Sequence, residues 1–148
     1  MLMKSKSILS ISLLNLAILA AGAIPVFSQS RQTFQSLPNG VYFYGESQMP
    51  DQKDTFYFVL RKTGNNIVGM SYAGMERSEC FRGTVRQNTI NNLTVAEVEP
   101  GSGIGWQFSQ AETPFDLNEL YRIDSKQIPE GALAQLQECV RLFSNTRR

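Results

Sequence analysis

Between Gly40 and Ile123 the chain is written as short runs of β-branched and aromatic residues, separated by four to eight residues rich in Gly, Asn and Pro. That limits the folds open to it. Parallel strands need crossover connections of a dozen or more residues, so runs this closely spaced pair antiparallel with their neighbours in sequence. The runs are Gly40–Glu46, Thr55–Lys62, Ile67–Ala73, Cys80–Val85, Ile90–Glu99, Trp106–Ser109 and Asn118–Ile123. They predict an antiparallel meander of about seven strands. Thr63-Gly64-Asn65-Asn66 and Gln87-Asn88 are its tight turns, built from residues that tolerate positive φ. An open meander has two raw edges, so the sheet is expected to curl strongly or to close as a small barrel. Gly45, Gly69, Gly83 and Gly105 interrupt strands, as glycines do where sheets bend.

Alternation along the strands predicts which side is core. Val41 and Phe43 share one face of the first run, and Phe56, Phe58 and Leu60 share one face of the second. With the phenylalanines taken as core, Tyr42, Tyr44 and Tyr57 form an aromatic cluster on the opposite face. Tyr72 and Trp106 extend it, and Arg61 and Arg82 are its polar neighbours. These seven residues are the candidate ligand-binding set, because such a surface suits stacking on a sugar, a pigment or a partner protein. The plainer alternative is that tyrosine is a good strand residue, packed with its hydroxyl in water.

Beyond the sheet the period changes. Residues 129–144 place Leu133, Leu136, Val140 and Phe143 at helical spacing, with Pro129 and Glu130 suited to a first turn. Cys139 falls on that apolar face, which must dock on the sheet. The chain has one other cysteine, Cys80, in the fourth run. The expected arrangement is a Cys80–Cys139 disulfide stapling helix to strand; two separately buried thiols are the alternative.

The amino terminus bears on that choice. Lys4 and Lys6 precede an apolar run from Ile8 to about Ala23, and small residues follow at Ser28 and Ser30. Residues 1–28 therefore read as a secretory signal, leaving one β-rich domain over residues 29–148. An uncleaved membrane anchor is the alternative, and is the only membrane contact expected. Removing the signal leaves 12 basic against 13 acidic residues, a net charge of −1, which is no footprint for nucleic acid. An exported location, periplasmic or extracellular, also suits a disulfide.

Composition excludes several chemistries. The chain has no histidine, so no Ser-His-Asp or Cys-His pair and no imidazole metal ligand can form. Two cysteines alone do not make a structural zinc site. Glu97 with Glu99, or Asp51 and Asp54 with Glu46, are the remaining carboxylate groups of interest. A solvated strand face and a polar loop are the simpler readings of them. No catalytic residue, metal or cofactor is expected.

The order GVYFYGE, YFVLRKTGNNIVG, CFRGTV, INNLTV resembles small exported cyanobacterial proteins of unassigned function. The strand-turn-strand text is also broadly similar to lipocalin and avidin-type barrels, which implies a ligand cavity. Gly40-Val41-Tyr42 stands where a Gly-x-Trp would be expected in such a first strand. The combined expectation is an exported, non-catalytic binding or interaction module for a small ligand or a protein. A lipocalin-like carrier of a small apolar or aromatic ligand is the alternative.

Overall fold

Two tight turns organise the centre of the sheet. Gly64 takes φ +60° between Phe56–Thr63 and Asn66–Ala73, and Gln87 takes φ +55° between Arg77–Arg86 and Thr89–Val98. Each turn has two residues, the length whose twist best matches that of the strands it joins. The computed structural model describes residues 32–74, 77–98 and 105–146. The segment read as a signal, Glu99 and most of the Pro100–Gly105 loop lie outside the described residues.

Eight strands occur among those residues: β1 (Gly40–Gly45), β2 (Phe56–Thr63), β3 (Asn66–Ala73), β4 (Arg77–Arg86), β5 (Thr89–Val98), β6 (Trp106–Gln110), β7 (Phe115–Asp116) and β8 (Tyr121–Ile123). One helix, α1 (Glu130–Asn145), follows them. The sheet is antiparallel in the order β6-β5-β4-β3-β2-β1-β8, with β7 also paired to β5. The expected count of seven thus becomes eight. The addition, β7, is two residues long and too short to show a period. The last expected strand shortens, because Asp116 Oδ1 accepts from both the backbone N–H and Nδ2 of Asn118, drawing Leu117–Glu119 into a 3-10 turn.

The sheet is not closed; β6 and β8 are its edges. That corrects the closed-barrel alternative, but the curl is real and follows from connectivity. Strand β7 lies outside β5 and β8 lies outside β1, so in a flat sheet they would be about 29 Å apart, six spacings of ~4.8 Å. The chain from Asp116 to Tyr121 reaches at most about 18 Å when extended. The sheet must therefore bend until its two sides nearly meet. Phe115 of β7 does meet Phe58 of β2 across the concave side, ring centroids 4.6 Å apart.

The concave side is filled by its own side chains. Leu60, Ile67, Phe81, Val85, Ile90 and Leu93 are buried there, with Phe34, Leu37 and Leu117 brought in from short turns. A β-carbon on Gly69 would lie 2.6 Å from Phe81 Cε2 and 2.8 Å from Leu60 Cδ2, so only glycine lets the Phe81 ring lie across the neighbouring strand. The register shifts between Arg82 and Thr84, where Asn92 at φ +53° is the extra residue of a bulge in β5. That extra residue is why Ile90 and Leu93, three apart, both face inward. Asn88, in the β4–β5 turn, fastens this layer. Its Oδ1 accepts from Phe34 N–H at 2.6 Å, its Nδ2 donates to Asn118 Oδ1 at 2.9 Å, and its carbonyl accepts from Leu117 N–H at 2.9 Å.

Helix α1 covers the convex side, running chiefly over β3 with β2 and β4 beside it. Ala132, Leu136, Cys139 and Phe143 form its buried seam. Spacing alone put Leu133 in that seam; it is 38% exposed, because the stripe is centred one residue earlier, on Ala132. The predicted staple is present: Cys80 and Cys139 are disulfide-bonded with Cα atoms 5.3 Å apart, both buried against Met70 and Ala96. Closing a loop of 59 residues is worth about 4 kcal/mol in the loop-entropy treatment.

Candidate functional site

The seven aromatic and arginine candidates do not share a face. Strand β1 pairs with β2 so that Phe43 opposes Val59 and Tyr44 opposes Phe58. Tyr57 therefore sits on the helix-covered side with Phe43, while Tyr42 and Tyr44 go to the concave side with Phe58 and Leu60. Arg61, Tyr72, Arg82 and Trp106 join Tyr57 on the helix side by the same pairing. This splits the expected cluster in two.

Tyr42 and Tyr44 are core residues. Tyr42 packs edge-on against Phe34 with centroids 5.2 Å apart and donates from its hydroxyl to Pro38 O at 2.6 Å. Tyr44 also packs edge-on against the Phe34 ring, centroids 5.7 Å apart. Burial pushes the Tyr44 phenol above its ordinary value, and Arg122 nearby pulls it back in part. Neither ring offers a free face of the kind a stacking site needs.

Tyr57 and Tyr72 line a cleft. They oppose each other on β2 and β3 and stack with centroids 5.4 Å apart at 27°. With Met70 they form the floor of a cleft of about 790 Å³. One wall is the first turn of α1, Gly131 and Ala132 with Gln135 a turn later, whose small side chains leave the space open. The rim is the β1–β2 loop, carrying Asp51, Gln52 and Lys53.

The rim is held from below. The Tyr57 hydroxyl donates to Met49 O at 2.6 Å and accepts from Gln52 N–H at 3.0 Å, pinning the loop over the floor. Asp51 and Asp54 both take positive φ, 60° and 56°, which acidic and amide residues tolerate better than most. Tyr72 differs from its stacked partner. Its hydroxyl is shielded from solvent and has no hydrogen-bond partner among the described residues. Its phenol is pushed up to about 12, first by burial and then by the Asp51 carboxylate and Tyr57.

This equipment consists of two stacked rings, an unpaired phenol, a carboxylate and an ammonium, which can stack, hydrogen-bond and pair charges. Trp106 packs at the edge of the helix-side core and Glu97 is exposed on β5, so neither lines the cleft. Among the described residues no three His, Cys, Asp or Glu side chains gather as a metal cage. Of the residues lining the cleft, Tyr57 and Tyr72 belong to the set expected from the sequence, and Met70, Ala132 and Gln135 do not. The pair Gly131-Ala132 at the start of an apolar helix was the available signal, since small residues in a docking turn leave room beside it. Arg61 and Arg82 lie at the other end of α1, around a second hollow of about 310 Å³. No family model, curated protein or solved structure matches the chain.

Proposed function

We propose that the protein is an exported, non-catalytic binding module that takes a small, largely apolar or aromatic ligand into the cleft between Tyr72 and the first turn of α1. The observation that carries this reading is a cleft of about 790 Å³ lined by the stacked rings of Tyr57 and Tyr72, with the Tyr72 hydroxyl shielded and unpartnered among the described residues. Buried polar groups in folded proteins nearly always find a partner, so an orphan hydroxyl on a ring that lines a pocket is a group a ligand's polar atom can satisfy once the ring shifts. The volume lies in the range of small-molecule sites, whose linings are mostly apolar with a few placed polar groups. Export is supported by the signal-like amino terminus and by the disulfide, a bond that persists in oxidising compartments.

A carrier of the lipocalin kind would hold its ligand inside the curled sheet. The concave side is packed with buried side chains, which favours the cleft under the helix as the ligand's seat instead. The test is the native mass of the protein recovered from its own compartment, set against its denatured mass. Extra mass in the native spectrum alone is the expected result, and Tyr72→Phe should weaken retention of that species about five- to tenfold, the worth of one hydrogen bond. A bare chain that also fails to bind apolar aromatic probes saturably would move the reading to a module for protein partners.

A further inference from the structure

The hollow at the carboxy-terminal end of α1 carries a different chemistry. Arg61 of β2 and Arg82 of β4 both oppose Val68 of β3, so they stand two strand spacings apart, about 10 Å, on one face of the sheet. Val68 is the floor between them, Val140 and Phe143 of α1 form the wall, and Thr63 and Asn66 close the open end. The Arg82 guanidinium lies 5.2 Å from the centroid of the Phe143 ring, a contact that orients it without neutralising it.

Neither arginine has an acidic partner among the described residues. Among the described residues the ion pair present is Arg141 with Glu138, on the exposed side of the helix. The helix end does not use the two guanidinium groups either. Ser144 Oγ donates to Val140 O at 2.7 Å, and Thr146 Oγ1 donates to Phe143 O at 3.2 Å, so hydroxyls serve those carbonyls. In a chain with 14 basic and 13 acidic residues, two cations around one hollow with no acidic partner among the described residues are a local surplus and not a reflection of overall charge.

We propose that this hollow is a binding site for a phosphate monoester group. A planar guanidinium presents paired N–H donors that match phosphate oxygens, and two of them match the two charges of a monoester better than the single charge of a carboxylate. Thr63 and Asn66 add neutral donors, and the partly exposed Val68 and Val140 receive the organic part. At about 310 Å³ the hollow accepts a phosphate with a short organic group. The site is independent of the Tyr72 cleft, which lies at the other end of the same helix.

The test is calorimetric titration of the full chain with glycerol phosphate, with acetate as the singly charged control. A parallel arm measures sedimentation with phosphatidylcholine vesicles with and without phosphatidate. Saturable binding of glycerol phosphate but not acetate is expected, reduced at least tenfold by Arg61→Gln and by Arg82→Gln and unchanged by Tyr72→Phe. Arginine-dependent binding to phosphatidate vesicles alone would assign the same chemistry to a lipid headgroup. Arg61→Gln guards against a folding artefact, because Arg61 makes no ring contact of the kind that holds Arg82. Absence of binding in both arms, or equal binding by wild type and Arg61→Gln, would overturn the proposal. Because Tyr72→Phe is measured alongside, failure here leaves the cleft reading intact, and the reverse also holds.

Discussion

The two sides of the sheet are covered in opposite ways. On the convex side one straight helix lies along β3, held by a disulfide near its middle. On the concave side the described residues include no α-helix; the curled sheet meets its own far strands, and short 3-10 turns at Phe34–Ser36 and Leu117–Glu119 fill the rest. A rod laid on a twisted surface touches it along the centre and parts from it at both ends. The two hollows with unpaired polar groups lie at those ends, one around Tyr72 and one around Arg61 and Arg82. Where the sheet folds on itself, polar groups such as those of Asn88 and Tyr42 are answered internally. Binding capacity is thus placed by the shape of the covering element as much as by the residues beneath it.

The contrast can be broken first at the staple. Replacing Cys80 and Cys139 together by Ala should cost about 4 kcal/mol in urea unfolding, with amide exchange rising in α1 before it rises in β4 and β5. Uniform loss of protection would show that the two layers are one cooperative unit. Gly69→Ala strikes the concave side only, because its methyl must displace Phe81 or Leu60. A loss of about 2 kcal/mol is expected, with phosphate and aromatic-probe binding preserved once folded. Smaller again is Asn88→Ala. It removes two side-chain hydrogen bonds that tie Phe34 and Asn118 to the β4–β5 turn, and should cost about 1–2 kcal/mol while loosening the amino-terminal turn.

A last effect is one of pH, confined to the alkaline range. The Tyr72 phenol is raised in the folded state, so the folded chain keeps a proton that the unfolded chain releases above the ordinary tyrosine value of about 10. Stability should therefore fall as pH rises from about 10 to about 12, and Tyr72→Phe should flatten that decline. Asp51→Asn should bring the Tyr72 titration, followed by phenolate absorbance, down toward its usual position. An unchanged titration would show that burial acts without the carboxylate.

Much of this was legible in the residues. Turn chemistry marked both tight hairpins, helical spacing marked α1, and one cysteine on each element marked the staple. What misled was phase. Alternation within β2 is plain, but whether Tyr57 shares a side with Tyr42 or with Phe43 depends on how β2 registers against β1. That register passes through a loop of ten residues, from Glu46 to Thr55, with two positive-φ aspartates, and a one-residue slip exchanges the faces. The same limit hid the cleft, whose parts come from β2, β3, a loop and a helix distant in sequence. The bulge at Asn92 was equally silent, although an Asn-Asn pair inside a strand is a fair sign of one.

The staple also sets an order of events during synthesis. Cys80 leaves the ribosome 59 residues ahead of Cys139, an interval of about 3–12 s at ordinary elongation rates. Through that interval the β1–β4 hairpins can assemble from neighbours already made, while Cys80 waits as a thiol on an uncovered face. The bond can only lock a sheet that exists. Any oxidant or thiol that reaches Cys80 in those seconds competes with the helix for its place.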